Sequence, residues 1–504
     1  MTGWRAARRW AAAHPLAALL LLGAVLRLLA AVFSAGFLTY DDHYVAVVRA
    51  DQLASGTPLP ESYQRSFLFP WLISLVMTGA RALGITAPST EMLVVRLIQG
   101  AVSLLGVLLV FRLLDRRADR ESAILGAGLV AGLYLFPVTG VHQFEEVASQ
   151  IPLLAGCWWL VRAEDGERPV GGWGLGSGLA LGAALILRFQ LLSFVLPLLA
   201  LAWYRHPRRV APWVTLGLAL VLALQMASNR QINGDWLFSL RRYYGPLLAA
   251  PGALATDAGG YPSGPPWQYF LTLLWMFLPP FSLVALAAMA AGGRRLWIFG
   301  VPALAFLLAH SVIANKQERF LLPVLPLLAM LAGAGFAAVR HWFARRGWPR
   351  LYRGLWIYAG GLNSLLLLVA IFNYGKKDRV APLAAIERRH DATGVVVAQY
   401  AYRYDPPVYY LGRPRPPFRV FVKRDSARAD GEWRGPGGVA PNYLVLSSND
   451  YPADSAALSS ALNAPLRRIE TISPSLGDRL GQLVNPRHNK ARTAVVYSID
   501  TSER

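Results

Sequence analysis

Long apolar stretches recur along most of the chain, at roughly 15–34, 67–84, 92–111, 122–138, 147–162, 174–204, 211–227, 267–291, 296–313, 320–338 and 354–373. Most approach the length of about 17–25 residues that a helix needs to cross roughly 30 Å of hydrocarbon. The run at 174–204 is too long for one span and short for two, and Arg188 and Gln190 interrupt its middle. It predicts two short helices with Arg188 at the tip between them. A charge at mid-membrane is costly, so Arg188 is expected to face a polar cavity. Snorkelling to the headgroups is the alternative.

Beyond about residue 374 the apolar pieces shorten. Ala381–His390 and Ser455–Leu462 read as helices, and Gly394–Tyr400, Phe418–Val422, Asn442–Leu446 and Thr493–Ser498 read as strands. The expected architecture is an all-α polytopic membrane protein of about 11 transmembrane helices with a small external α/β C-terminal domain. The expected divisions are a transmembrane domain at 1–373, with a first external loop at 35–91, and a soluble external domain at 374–504. No internal repeat at a solenoid period is evident, nor an inverted pair of broken helices of the kind that marks transporters.

Charge orients this pattern. Arginines cluster between apolar segments, at Arg112/Arg116/Arg117/Arg120, Arg162/Arg168, Arg205/Arg208/Arg209, Arg294/Arg295 and Arg340/Arg345/Arg346/Arg350/Arg353. Such clusters mark the cytoplasmic side. If 67–84 crossed the membrane, the Arg112–Arg120 cluster would fall outside, so this stretch is expected to lie on or dip into the outer interface. The N-terminus is then cytoplasmic. The segments 35–91, 139–146, 228–266, 314–319 and the tail are external. The first apolar run exceeds a signal-peptide core of about 7–15 residues and is read as a helix that stays attached.

Composition agrees. The chain is 55% hydrophobic and only 16% charged, against about 25% charged in soluble domains. Its net charge of +21 follows from the loop arginines, so no nucleic-acid partner is expected. Cys157 is the only cysteine and lies in an apolar run, which excludes an intrachain disulfide. The short basic loops carry no Gly-rich phosphate loop, which disfavours a cytosolic nucleotide donor.

Unusual polar residues collect on the expected external side. Asp41 and Asp42 follow the first span directly. Adjacent carboxylates there can deprotonate a hydroxyl, grip sugar hydroxyls or bind a divalent cation; the plainer reading is helix capping. Arg65 could meet a lipid phosphate or anchor its helix. Glu145 and Glu146, in the next loop, are either solvated or a second acidic group. Tyr244 and Trp267 lie in an aromatic, basic loop that suits sugar rings or a membrane-interface belt. The sharpest element is Ala314–Leu328, where Lys316 and Arg319 sit on the side that positive-inside bias disfavours. An anionic lipid phosphate would explain two cations there, Lys as a point charge and Arg as a planar fork.

Asn315-Lys316-Gln317-Glu318-Arg319-Phe320-Leu321-Leu322-Pro323 resembles the His-Lys-Glu-x-Arg-Phe motif of the dolichyl-phosphate-mannose-dependent mannosyltransferases of N-glycan and GPI-anchor assembly. These belong to the glycosyltransferase C superfamily. Asp41-Asp42 lies where that superfamily has its first-loop acidic pair, and Arg65-Ser66-x-x-x-Pro70 is similar to a segment of the same loop. Asn315 stands where the motif has His, and Gln317 where it has Glu. The resemblance runs from the N-terminus to about residue 340, and the arginine-rich composition suggests a bacterial relative in the inner membrane, with the C-terminal domain periplasmic.

The resemblance implies an inverting transfer of a mannose-like sugar from a polyprenyl-phosphate donor to a glycan or glycolipid acceptor, among membrane lipids. Asp41 would take the acceptor proton, with Asp42 orienting the acceptor or sharing that role. Lys316 and Arg319, with Arg65 or Arg188, would hold the donor phosphate. Glu145, Glu146, Tyr244 and Trp267 would bind acceptor or sugar. No cofactor is required; a divalent cation on Asp41 and Asp42 is compatible with the scheme. A lipid-linked-sugar flippase and a protein O-glycosyltransferase of the same superfamily are the alternatives.

Overall fold

Each of the eleven apolar stretches becomes helical in the computed structural model, which describes residues 2–57, 66–249, 263–313, 315–400, 402, 405–422, 438–486 and 489–500. Six helices are long and apolar enough to cross a membrane, Pro15–Phe33, Pro88–Arg117, Val170–Leu187, Ala211–Asn233, Glu318–Arg345 and Pro349–Ile371. The pair Gln268–Met276 and Phe281–Arg295, bent by 110°, makes a seventh if it is one span. The remaining apolar stretches form shorter helices, among them Leu68–Ala82, Arg120–Gly132, Gln150–Glu164 and Trp297–Val312. The chain is a mostly helical multi-pass membrane protein. The shorter apolar helices fall where the sequence pattern expects membrane helices.

The run at 174–204 breaks where the polar residues fall. Val170–Leu187 ends at Arg188, whose backbone is extended (φ −142°, ψ 97°), and after a 3₁₀ turn a second helix runs Leu192–Arg205.

Two compact units divide the chain: residues 1–29, 57–72 and 97–368, and residues 30–56, 73–96 and 369–504. In the first, helix Leu325–Arg345 is buried continuously from Leu325 to Phe336 and packs on Phe281–Arg295 and Arg120–Gly132. Close packing needs small residues, because lipid tails give apolar side chains no reason to leave them for another helix. A Cβ at Gly292 would collide with the Leu331 carbonyl, and one at Gly335 with that of Ala288. Arg27, buried in the first span, donates to Ser103 Oγ (2.6 Å) and to the Val130 and Ala131 carbonyls (3.2 and 3.4 Å).

The second unit holds a five-stranded mixed sheet with strands β1 (Val395–Gln399), β2 (Phe418–Phe421), β3 (Tyr443–Ser447), β4 (Leu466–Ile472) and β5 (Ala494–Ile499). Their order is β2-β1-β3-β5-β4. β1 runs parallel to β2 and β3, while β5 is antiparallel to β3 and β4. Val396, Leu444, Leu446, Val495 and helix residues Leu458 and Leu462 share its core. Four strands match the expected pieces. β4 was missed because Arg467, Arg468 and Glu470 leave it mostly exposed. In the same unit the ends of the first and last spans meet. The Phe33 ring lies tilted against that of Phe372 (4.8 Å), and the Gly375 amide donates to the Ala35 carbonyl (2.9 Å).

Candidate active site

Asp41 and Asp42 open a seven-residue π-helix, Asp41–Val47, directly after the first span. Wide helical turns of this kind are often found at functional sites. Asp42 is buried and accepts hydrogen bonds from the backbone amides of Leu38 (Oδ2, 2.8 Å) and Thr39 (Oδ1, 3.0 Å). Both bonds reach backwards along the chain, so Asp42 shapes the loop leaving the span rather than capping the helix that follows. Asp41 is half-buried and remains reachable.

His43, next in sequence, stacks between Phe37 (4.8 Å) and Tyr410 (5.5 Å). Burial pushes its imidazole down to about 3, so it is neutral near pH 7. Its Nε2 has no hydrogen-bond partner among the described residues.

Lys376 and Arg379 also belong to this unit. Burial lowers the Lys376 ammonium pKa, against the opposing charges of Asp478, Asp378 and Asp42. Sequence reasoning missed both. A signal was available, since Lys376, Lys377 and Arg379 follow the last span on the side expected to be external, the same anomaly that singled out Lys316 and Arg319.

A charged clamp lies further along the same unit. Arg81 bridges Asp51 (2.7 Å) and Glu91 (2.7 Å); Arg413 (2.8 Å) and Arg415 (3.3 Å) reach Asp51 as well. Tyr409 donates to Glu91 (2.7 Å), and a cavity of about 130 Å³ opens among Asp51, Arg81, Glu91, Tyr409 and Arg413. Burial pushes the Asp51 carboxyl up, but Arg413 and Arg81 outweigh it and hold the group below its ordinary range.

The first unit brings Glu145, Glu146, Arg188 and Arg319 together. Arg188 meets Glu145 (3.5 Å) and Glu146 (3.0 Å), and all three side chains are almost wholly buried. Arg319 lies 3.8 Å from Glu146 and is a little more exposed, at 15%. Two carboxylates and two guanidinium groups make this a neutral cluster. Gln190 donates to the Phe320 carbonyl (3.0 Å) and Gln150 to that of Leu322 (2.7 Å). These bonds hold the 3₁₀ segment Glu318–Val324 in place.

Lys316 is differently engaged. Its ammonium donates to the carbonyls of His310 (2.8 Å), Ser311 (2.9 Å) and Ile313, and so closes the C-terminal end of helix Trp297–Val312. All three of its donors are committed there. Burial lowers its pKa. Arg319 is held by Gln317 Oε1 (2.8 Å), and Tyr269 lies under Lys316 at 5.0 Å.

Tyr244 donates to the Phe189 carbonyl (2.5 Å), one residue beyond the Arg188 break; burial, then Tyr243, raises its phenol pKa. Trp267 is 64% exposed and precedes helix Gln268–Met276. Arg65 lies outside the described residues.

Residues 64–228 match the family described as dolichyl-phosphate-mannose-protein mannosyltransferase. A mannosyltransferase of Arabidopsis thaliana is 24% identical over 291 residues, 54% of this chain and 49% of the relative. The chain therefore spans about half the length of that curated relative.

Among solved structures, ArnT from Cupriavidus metallidurans bound to undecaprenyl phosphate is similar over 96% of this chain and 98% of its own, with a TM-score of 0.63 and 14% identity. The oligosaccharyltransferase AglB from Archaeoglobus fulgidus, in complex with an inhibitory peptide and a dolichol-phosphate, is similar over 91% of this chain and 73% of its own, with a TM-score of 0.52 and 11% identity. By its helices, its C-terminal sheet and these likenesses, the chain is a multi-pass membrane protein of the glycosyltransferase C fold.

Proposed function

We propose that the protein is a polyprenyl-phosphate-sugar-dependent glycosyltransferase, transferring a mannose-like sugar to a glycan or glycolipid acceptor on the external face of a bacterial inner membrane. The observation that carries this reading is the likeness, along 96% of the chain, to a protein whose solved structure holds undecaprenyl phosphate. The acidic pair after the first span and the match of residues 64–228 to a mannosyltransferase family support it. The dolichol-phosphate in the AglB structure points to the same donor class.

In this reading Asp41 takes the proton of the acceptor hydroxyl as its oxygen attacks the anomeric carbon. The bond from that carbon to the phosphate oxygen breaks, and the polyprenyl phosphate leaves with the electron pair. Displacement from the opposite face inverts the configuration. A phosphate leaving group needs charge stabilisation more than protonation, so one base with nearby cations suffices. A glycosidase, which must protonate its leaving group, uses two carboxylates. Arg319 holds the donor phosphate. Arg188 is paired with Glu145 and Glu146 and keeps Arg319 in register, Lys316 fixes the loop that carries it, and Asp42 sets the position of Asp41. Tyr244 and Trp267 are proposed to contact sugar or acceptor. No metal enters the scheme.

The test is purified protein incubated with polyprenyl-phosphate-linked sugars and membrane lipids, followed by mass spectrometry. A glycosylated lipid or glycan is expected. Transport of the lipid-linked sugar across vesicles without any transfer product would contradict the reading and favour a flippase. A second reading, in which a protein hydroxyl is the acceptor, is favoured by the description of the matched family. Sugar on protein rather than on lipid in the same assay would select it.

A further inference from the structure

Helix Leu476–Val484, between β4 and β5, exposes an apolar stripe that no described residue covers. Leu476 is 64% exposed, Leu483 78% and Val484 87%, with Leu480 beside them. At 100° per residue these four positions fall within one arc of about a quarter turn. The other face is committed to the protein. Asp478 is buried and accepts from the Lys377 amide (3.3 Å), and Gln482 accepts from the Ala491 amide (2.8 Å).

The height of this helix is fixed by its first turn. The Gly477 amide donates to Asn373 Oδ1 (3.1 Å), and a Cβ at Gly477 would collide with that side chain. Asn373 lies two residues beyond Ile371, the last residue of the final span. Two residues reach at most about 7 Å, which is no more than the depth of a headgroup layer. Phe372 and Phe33, both exposed and paired at the ends of two spans, mark the same level.

We infer that Leu476–Val484 is a membrane-docking helix. Leu476, Leu480, Leu483 and Val484 enter the headgroup–acyl boundary of the lipid surface beside the last span. Arg479, exposed at the flank of the stripe, extends its charge towards the lipid phosphates while its stem stays among the acyl chains. The bilayer surface is thereby the partner that orients the C-terminal sheet, independently of the activity proposed above.

The test uses the full chain. Cys157 is its only cysteine and is buried, so Cys157→Ser with Leu483→Cys gives one reactive thiol at an exposed position, with little effect expected on folding. A polarity-sensitive fluorophore on that thiol is read in vesicles of phosphatidylethanolamine and phosphatidylglycerol carrying a nitroxide just below the headgroup. Blue-shifted emission, quenching by the nitroxide and protection from aqueous iodide are expected. Adding Leu476→Ser and Leu480→Ser should restore iodide access. Full iodide quenching of the Leu483→Cys probe with no effect of the nitroxide lipid would overturn the inference.

Discussion

Asp41 and Asp42 are chemically identical neighbours in different surroundings. Asp42 binds two backbone amides and is buried, whereas Asp41 is half-buried. A positioned base contributes about 10²–10⁴-fold, so Asp41→Asn should lower kcat by that factor while donor KM stays within a few-fold. Asp42→Ala leaves two amides without their acceptor. It should cost about 1–3 kcal/mol of stability, read as a lower unfolding temperature in detergent. If both variants kept wild-type rates, the acidic pair would have no catalytic part. Arg319→Ala should chiefly raise donor KM, because one cation that meets a developing or transferred phosphate is lost. That two carboxylates follow the first span was legible from sequence. That Asp42 turns back to amides three and four residues earlier was not, because sequence does not give the direction of a side chain. Lys316 was legible as an anomaly for the same reason as Arg319. Its bonds to the carbonyls of helix Trp297–Val312 were hidden, since sequence gives charge without direction.

At the scale of elements, the break at Arg188 was readable because a charge and an amide interrupt an apolar run that is too long for one helix. That its guanidinium would pair with Glu145 and Glu146 was not, since the partners lie over 40 positions away in sequence. The clamp of Asp51, Arg81, Glu91, Arg413 and Arg415 joins segments from both ends of the chain and went unread for the same reason. Arg81→Ala would take the cation from Glu91, which keeps only the Tyr409 hydroxyl, while Asp51 keeps Arg413 and Arg415, and should destabilise the protein by about 1–3 kcal/mol.

The Asp51 carboxyl titrates below its ordinary value in the folded protein. Its pairing therefore contributes stability above the unfolded value of about 4. That stability is lost as pH falls through the lower folded value. Unfolding temperature should drop in this acid window for the wild type and less for Asp51→Asn. An equal drop in both would remove Asp51 from the account.

At the scale of the whole molecule, hydropathy and loop arginines were enough to read a polytopic helical protein with a C-terminal α/β region. One feature escaped. The compact unit built around the C-terminal sheet also takes in residues 30–56 and 73–96, a long-range association that leaves no local signal. Sugar and acceptor identity lie further out of reach, because a few hydrogen-bonding side chains separate one hexose from another and the fold accommodates many.

The most direct measurement is a single-turnover assay of purified wild-type and Asp41→Asn protein in vesicles, with a polyprenyl-phosphate-linked sugar series and mass-spectrometric detection of product. The account predicts transfer from one member of the series by the wild type, with inverted anomeric configuration, and a loss of about 10²–10⁴-fold in the variant. Transfer at equal rates by both proteins, or none by the wild type from any polyprenyl-phosphate donor, would contradict it.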